Sequence, residues 1–188
     1  MTPPALTPEL EAAIARLVDA RVDARLQHVD ALESNRASLL VFSGDMDRLF
    51  AAFTVALASA ASGLEVSMYF TFWGLTALRR QKTFAGKSLG EKMVAMLLPS
   101  GPGSTGTSKL HLGGIGPRFF KHLMKRRKVE SLPSMIAIAQ EMGVKMIACE
   151  MSMHVMGITR EELIDGLTYG GAATYVADAA GAKVTLFV

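Results

Sequence analysis

From Ser38 onward, short apolar runs alternate with helical stretches. SLLVF, residues 38–42, reads as a buried strand; SGDMD turns the chain, and RLFAAFTVALASAASG continues as a helix that Gly63 ends. LEVSMYF at 64–70 is a second strand, and WGLTALRR begins another helix. Ser134 to Met142 reads as a helix closed by Gly143, and VKMIAC at 144–149 as the third strand. Thr159 and Glu162 have the spacing of a capping box, with Ile158 and Leu163 placed to pack across it, which predicts a helix start. A short strand near Leu167 to Tyr169, a helix AATYVADAAG opened by Gly170 and Gly171, and a closing strand KVTLFV at 183–188 complete the series. The alternation predicts an α/β fold: an open, mostly parallel five-stranded sheet with helices on both faces, of the flavodoxin-like kind.

Two regions depart from this rhythm. Before it, apolar residues recur at Leu10, Ile14, Leu17, Val18, Val22, Leu26, Val29 and Leu32, spacings of three and four that predict a separate amphipathic helix within residues 1–36. Thr7 caps it, Pro8 fits its first position, and a second subunit is the favoured cover for its apolar stripe. Inside the α/β domain, residues 37–188, the segment from about 81 to 133 carries a glycine- and proline-rich loop, PSGPGSTGTSKLHLGGIGP, which reads as lying outside packed core. Its flanks, SLGEKMVAMLL and RFFKHLMKRRK, read as helices. Nine of the twelve methionines fall between Met93 and Met156, where core packing is favoured over an adaptable partner surface.

Composition narrows the class. The chain of 188 residues is 50% hydrophobic and 20% charged, enough to bury one full core. Mean hydropathy of +0.29 raises the question of a membrane span. The uncharged run Leu49 to Leu64 is shorter than the ~20 residues a bilayer core needs, and joining it to Val66–Leu78 would bury Glu65 in lipid. A core helix followed by a buried strand is expected instead, with membrane association disfavoured. The net charge of +3 does not call for a nucleic-acid partner. Most of the excess sits in Lys121, His122, Lys125, Arg126, Arg127 and Lys128, a local patch. One cysteine excludes an internal disulfide framework, and the N-terminus lacks a secretory signal, so a cytoplasmic location is expected.

Most familiar chemistry fails on spacing. GPGSTGTS lacks the Lys-Ser or Lys-Thr that completes a phosphate loop, and LGGIG does not follow a strand. His28, His111, His122 and His154 are scattered, so no metal and no cofactor is expected. Ser43 has no nucleophile-elbow context and is expected to cap the helix after the first strand. What remains is Cys149, at the carboxyl end of a predicted parallel strand, where open sheets place reactive groups, and at the start of the helical segment MSMHVMGI. A helix start and His154 would lower its pKa, whereas Glu150 would raise it. The plainer alternative is a small buried hydrophobe.

VKMIACEMSMHVMGI, the following ELIDG and YGG stretches, LVFSGDMDRLFAAF, and MLLPSGP with SLPSMI together resemble the DsrE/DsrF-like family of sulfur-relay proteins, in its peroxiredoxin-like branch, over about residues 38–188. The resemblance implies a homo-oligomer whose working residue is Cys149. That thiol accepts sulfane sulfur as a persulfide from a donor and passes it to a thiol of a partner such as a small sulfur-carrier protein. In that family Asp is more common where this chain has His154. Ser43, Gly44, Asp45, Met151, His154, Tyr169, Gly170 and Gly171 are expected to line the site. The basic patch is expected to steer an acidic carrier or donor. A reachable, ionised thiol on the rim is the premise of this reading. A thiol redox sensor and a noncatalytic assembly module are its rivals.

Overall fold

The computed structural model describes residues 8–32, 34–109 and 115–188. Strands form where apolar runs meet turn residues: β1 is Ser34–Val41, β2 Glu65–Phe70, β3 Lys145–Cys149, β4 Thr168–Gly170 and β5 Ala182–Phe187. They lie parallel in the order β4-β3-β2-β1-β5. At the β5 edge, Val188 N–H donates to Leu40 O and Phe42 N–H donates to Val188 O. β1 begins four residues before the apolar run, because Arg36 pairs with Glu65 of β2 in register and through an ion pair at 3.1 Å.

Alternate side chains divide the sheet into two faces. Leu39, Val41, Met68, Phe70, Met146 and Ala148 enter the main core, closed by α2 (Met46–Ala61) and α5 (Leu132–Glu141). Leu40, Tyr69, Ile147 and Cys149 belong to the opposite face, where Tyr175 of α7 (Ala172–Ala180) packs against them. The uncharged run is therefore a core helix, α2, buried along Leu49, Ala52, Phe53 and Ala56, and then a buried strand. Among the described residues no helix is long and apolar enough to cross a membrane.

Three local expectations are corrected. WGLTALRR does not start an α-helix: Phe72–Leu78 is a 3-10 helix with residues 74–78 all buried. Gly74 lies so close to Val41 that an added Cβ would stand 2.2 Å from its carbonyl oxygen, so tertiary packing shapes this segment. Thr159 and Glu162 open only the 3-10 turn Arg160–Glu162. The Glu162 carboxylate accepts from Thr159 N–H at 3.0 Å, but Ile164 N–H then donates to Leu78 O at 2.8 Å and Leu163 bridges Arg79, pulling the chain into an extended path. Ser43 is not the cap of α2; Asp45 is. Ser43 Oγ accepts from Asp45 N–H at 3.1 Å and donates to the Asp45 carboxylate at 3.0 Å.

The insert contains α3 (Leu89–Leu97), a 3-10 turn at Pro102–Ser104 and α4 (Ile115–Arg126). Part of its glycine-rich loop is packed, contrary to expectation: Thr105 and Thr107 are buried. The reason lies at α2, whose first N–H groups need acceptors and receive no side-chain cap bond from Asp45. Gly106 O accepts from Met46 N–H at 2.7 Å, and Ser108 N–H donates to Asp47 at 2.8 Å. His111 and most of LGGIG lie outside the described residues.

The chain divides at Ser34/Asn35. On the amino-terminal side, α1 spans Pro8–Leu32 and exposes Ile14, Leu17, Val18 and Val22; the Thr7 cap lies outside the described residues.

Candidate functional site

Cys149 ends β3 and is the N-cap residue of α6 (Glu150–Met156). It pairs in register with Gly170 of β4, whose missing side chain leaves room for Thr174: a Cβ there would lie 2.6 Å from the Thr174 hydroxyl. The thiol is not on an open rim. Cys149 is 2% exposed in this chain, inside a small cluster with Tyr69, Ile147, Leu40 and Tyr175. Tyr69 pairs with Ile147, which makes it the diagonal neighbour of Cys149, within reach of a long side chain. The Tyr175 ring packs on that of Tyr69, centroids 5.6 Å apart.

Among the described residues, hydroxyls and not cations surround the sulfur. Ser152, one helical turn into α6, donates to Cys149 Sγ at 3.3 Å, and Thr71 Oγ1 lies 2.8 Å from Ser152 Oγ. A serine hydroxyl has one proton. With that proton on sulfur, Thr71 is the donor to Ser152, which gives a directed chain from Thr71 through Ser152 to Sγ. Burial pushes the Cys149 thiol up. The Ser152 hydroxyl, the Tyr69 hydroxyl, the Ser152 backbone N–H and Thr71 outweigh it, so the thiol is held below its ordinary value. Tyr69 shows the complement: burial and its hydrogen bond to Cys149 drive the phenol well above the usual tyrosine range. Tyr69 therefore remains a proton donor when the sulfur is anionic.

Backbone strain sits beside this cluster. Phe72, immediately after Thr71, has φ +44, a left-handed value disfavoured for a bulky residue. Thr71 N–H donates to Val41 O at 3.0 Å, and Gly74 N–H donates to Phe42 O at 2.9 Å. These bonds pin the reversal that follows β2, and with it Thr71, against Ser152.

Gly170 stands opposite Cys149 through the strand pairing, and Gly171 follows it as the N-cap residue of α7. Met151 and His154 are exposed on α6; the Ser88 hydroxyl and backbone N–H hold the nearby Glu91 carboxyl below its ordinary value, with only a minor contribution from His154. Tyr169 pairs with Ala148 and belongs to the opposite face of the sheet, where the Arg160 guanidinium lies 4.3 Å over its ring. Arg160 also binds Glu150 at 2.7 Å. Ser43, Gly44 and Asp45 line a separate cleft of about 280 Å³ with Trp73, Thr76 and Thr107, which does not include Cys149. Among the described residues no group of three His, Cys, Asp or Glu side chains could hold a metal ion. Tyr69, Thr71 and Ser152 escaped the sequence reading. The C-x-x-S spacing from Cys149 to Ser152, which puts a hydroxyl one helical turn from a thiol at a helix start, was the available signal.

A buried ionic cluster braces the chain after α6. Glu162 accepts from Arg79 at 2.7 Å, Lys87 at 2.6 Å and Thr83 N–H at 2.9 Å, with all three charged side chains buried. Burial pushes its carboxyl up, but Lys87, the backbone donors and Arg79 hold it below the usual carboxylate range.

Comparison with known proteins agrees with the resemblance read from the sequence. The chain is 40% identical to the uncharacterized protein YrkE of Bacillus subtilis (strain 168) over 157 residues, 83% of this chain and 98% of that one. It is 29% identical to the sulfur carrier protein DsrE2 of Allochromatium vinosum over 161 residues, 84% of this chain and all of that one. Among solved structures, the ychN protein from E. coli superposes with a TM-score of 0.49 at 16% identity, over 81% of this chain and 99% of that one. Residues 33–187 match the description of one family, and the chain belongs to it: the DsrE/DsrF/DrsH-like family.

Proposed function

We propose that this protein carries sulfane sulfur as a persulfide on Cys149 and hands it to the thiol of a partner protein. The observation that carries the proposal is a lone buried sulfur ringed by hydroxyl donors. The likeness to a named sulfur carrier supports it. In the loading step the Cys149 thiolate attacks the outer sulfur of a donor persulfide. The donor's S–S bond breaks, a new bond forms to Sγ, and the electron pair leaves on the donor's own thiolate. No external oxidant or reductant is consumed. In the delivery step a partner thiolate takes the outer sulfur and restores Cys149. The Ser152 and Tyr69 hydroxyls stabilise the anionic sulfur in both resting forms.

Burial sets a condition. A partner thiolate cannot reach Sγ in the closed arrangement, so transfer follows an opening of the wall that Tyr175 contributes. Subunit association and a cytoplasmic setting form part of the same proposal.

The test is to load the full chain with polysulfide and measure intact mass. Sulfur-sized additions on wild type that are absent from Cys149→Ser are expected. No addition, or equal addition to the variant, overturns the proposal. Peroxide treatment followed by non-reducing electrophoresis separates a carrier from a redox sensor, which would form a cross-linked dimer.

A further inference from the structure

The insert carries a surface that the sulfur site leaves unused. Along α4 only Pro117 is buried, while Ile115 (68% exposed), Phe119 (61%), Phe120 (40%) and Leu123 (38%) stand in water. Ile115, Phe119 and Leu123 follow one another at i, i+4 and i+8, with Phe120 beside them, so they form one stripe. At 100° per residue, Arg118, Lys121 and Lys125 fall on the other arc of the helix, His122 borders the stripe, Arg126 closes it at the helix end, and Arg127 and Lys128 follow. No acidic residue occurs between Ile115 and Val129. Lys121 spends its charge on Gly103 O at 2.7 Å, but Arg118, Lys125, Arg126, Arg127 and Lys128 make no side-chain hydrogen bond or ion pair with the described residues. This segment holds six Lys and Arg while the whole chain has a net charge of only +3, so the remainder is net acidic and the positive field is local.

We infer that α4 is an interfacial helix that seats this protein on an anionic lipid bilayer. It lies along the surface and does not cross it. The two halves of the helix fit the two layers such a surface offers: the apolar stripe enters the boundary between headgroups and acyl chains, and the bases meet anionic headgroups. A nucleic acid would satisfy the bases and could stack on the phenylalanines, but it gives Ile115 and Leu123 nothing. An acidic protein surface matches the charge alone. The insert's other helix has the same character: α3 exposes Leu89, Met93, Met96 and Leu97. Two helices from one insertion thus present large apolar side chains that the domain does not cover, more than scattered surface residues usually amount to.

The experiment is flotation of the full chain with vesicles of phosphatidylcholine alone or of an equal mixture with phosphatidylglycerol. The expected result is partition onto the anionic vesicles, weaker by about tenfold on neutral ones and reduced by salt. Phe119→Ser with Phe120→Ser is expected to lower partition on anionic vesicles by about tenfold or more. Because α4 buries little, circular dichroism should show the variant folded. A Phe119→Trp variant supplies a second reading: its emission moves to shorter wavelength with anionic vesicles. No flotation, flotation unchanged in the double variant, an unshifted Phe119→Trp emission, or binding to polyglutamate in place of vesicles overturns the inference.

Discussion

Ser152→Ala removes the hydroxyl that donates to Cys149 Sγ at 3.3 Å, from a position that is itself fully buried. With Cys149 only 2% exposed, bulk water does not take the vacated place. A hydrogen bond to a charged group contributes about 1.5–3 kcal/mol. Sulfur is the weaker kind of acceptor, so the lower figure applies, and about 1.36 kcal/mol corresponds to one pKa unit. The thiol pKa should therefore rise by about one unit in Ser152→Ala. Tyr69→Phe, which removes the phenolic donor, should produce a rise of similar size. In the double variant burial dominates, and the thiol should titrate above the ~8.5 of a free cysteine. The assay is the ultraviolet absorbance of the thiolate against pH, with Cys149→Ser as the blank. Since the chain has one cysteine, the curve reports a single sulfur. Wild type should titrate below a free cysteine. A Ser152→Ala curve that overlays wild type, or moves to lower pH, would refute the view that hydroxyls set the charge on this sulfur.

Further outcomes follow from the braces around the site. Glu162→Ala leaves Arg79 and Lys87 buried without their counter-charge and should cost about 3–5 kcal/mol in urea unfolding, with Glu162→Gln costing less. Because the Glu162 carboxyl is held low in the folded chain, its contribution is present above the ordinary carboxylate pKa and lost as pH falls through the lowered folded value. Melting temperature should thus drop on acidification below about pH 4.3, the usual glutamate value, and Glu162→Gln should flatten that drop. Gly74→Ala drives a Cβ into Val41 O and should destabilise by about 1–3 kcal/mol or more, whereas Gly90→Ala, with open space around it inside α3, should be neutral or stabilising.

Apolar runs located β1, β2 and β3, since a strand buried on both faces leaves an unbroken hydrophobic record in the chain, whereas the edge strands β4 and β5 are largely uncovered and were placed by their flanking glycines and their position in the alternation. The polar start of β1 left no such record: Arg36 joins the sheet by pairing with Glu65 of β2. The same limit hid the 3-10 helix at 72–78, where crowding against Val41 sets the geometry. At the site, strand position singled out Cys149. Its neighbours were harder to read, because being at the end of a strand does not reveal which face a side chain takes. Tyr169 fell on the wrong face and Ser43 three strands away from β4, while Tyr69 and Thr71 arrived from a strand distant in sequence. Glu162 was legible as a cap residue, but its buried cationic partners Arg79 and Lys87 lie about eighty residues earlier, beyond the reach of local pattern.

Under the proposed function, having one thiol and keeping it indoors gives the loaded protein a clock. No second thiol in the same chain can displace the cargo, and neither solvent nor a passing small reductant meets it while the wall is shut. Dwell time is then governed by how often the tyrosine cover parts, a mechanical frequency, so two relatives with identical sulfur chemistry could deliver at very different speeds.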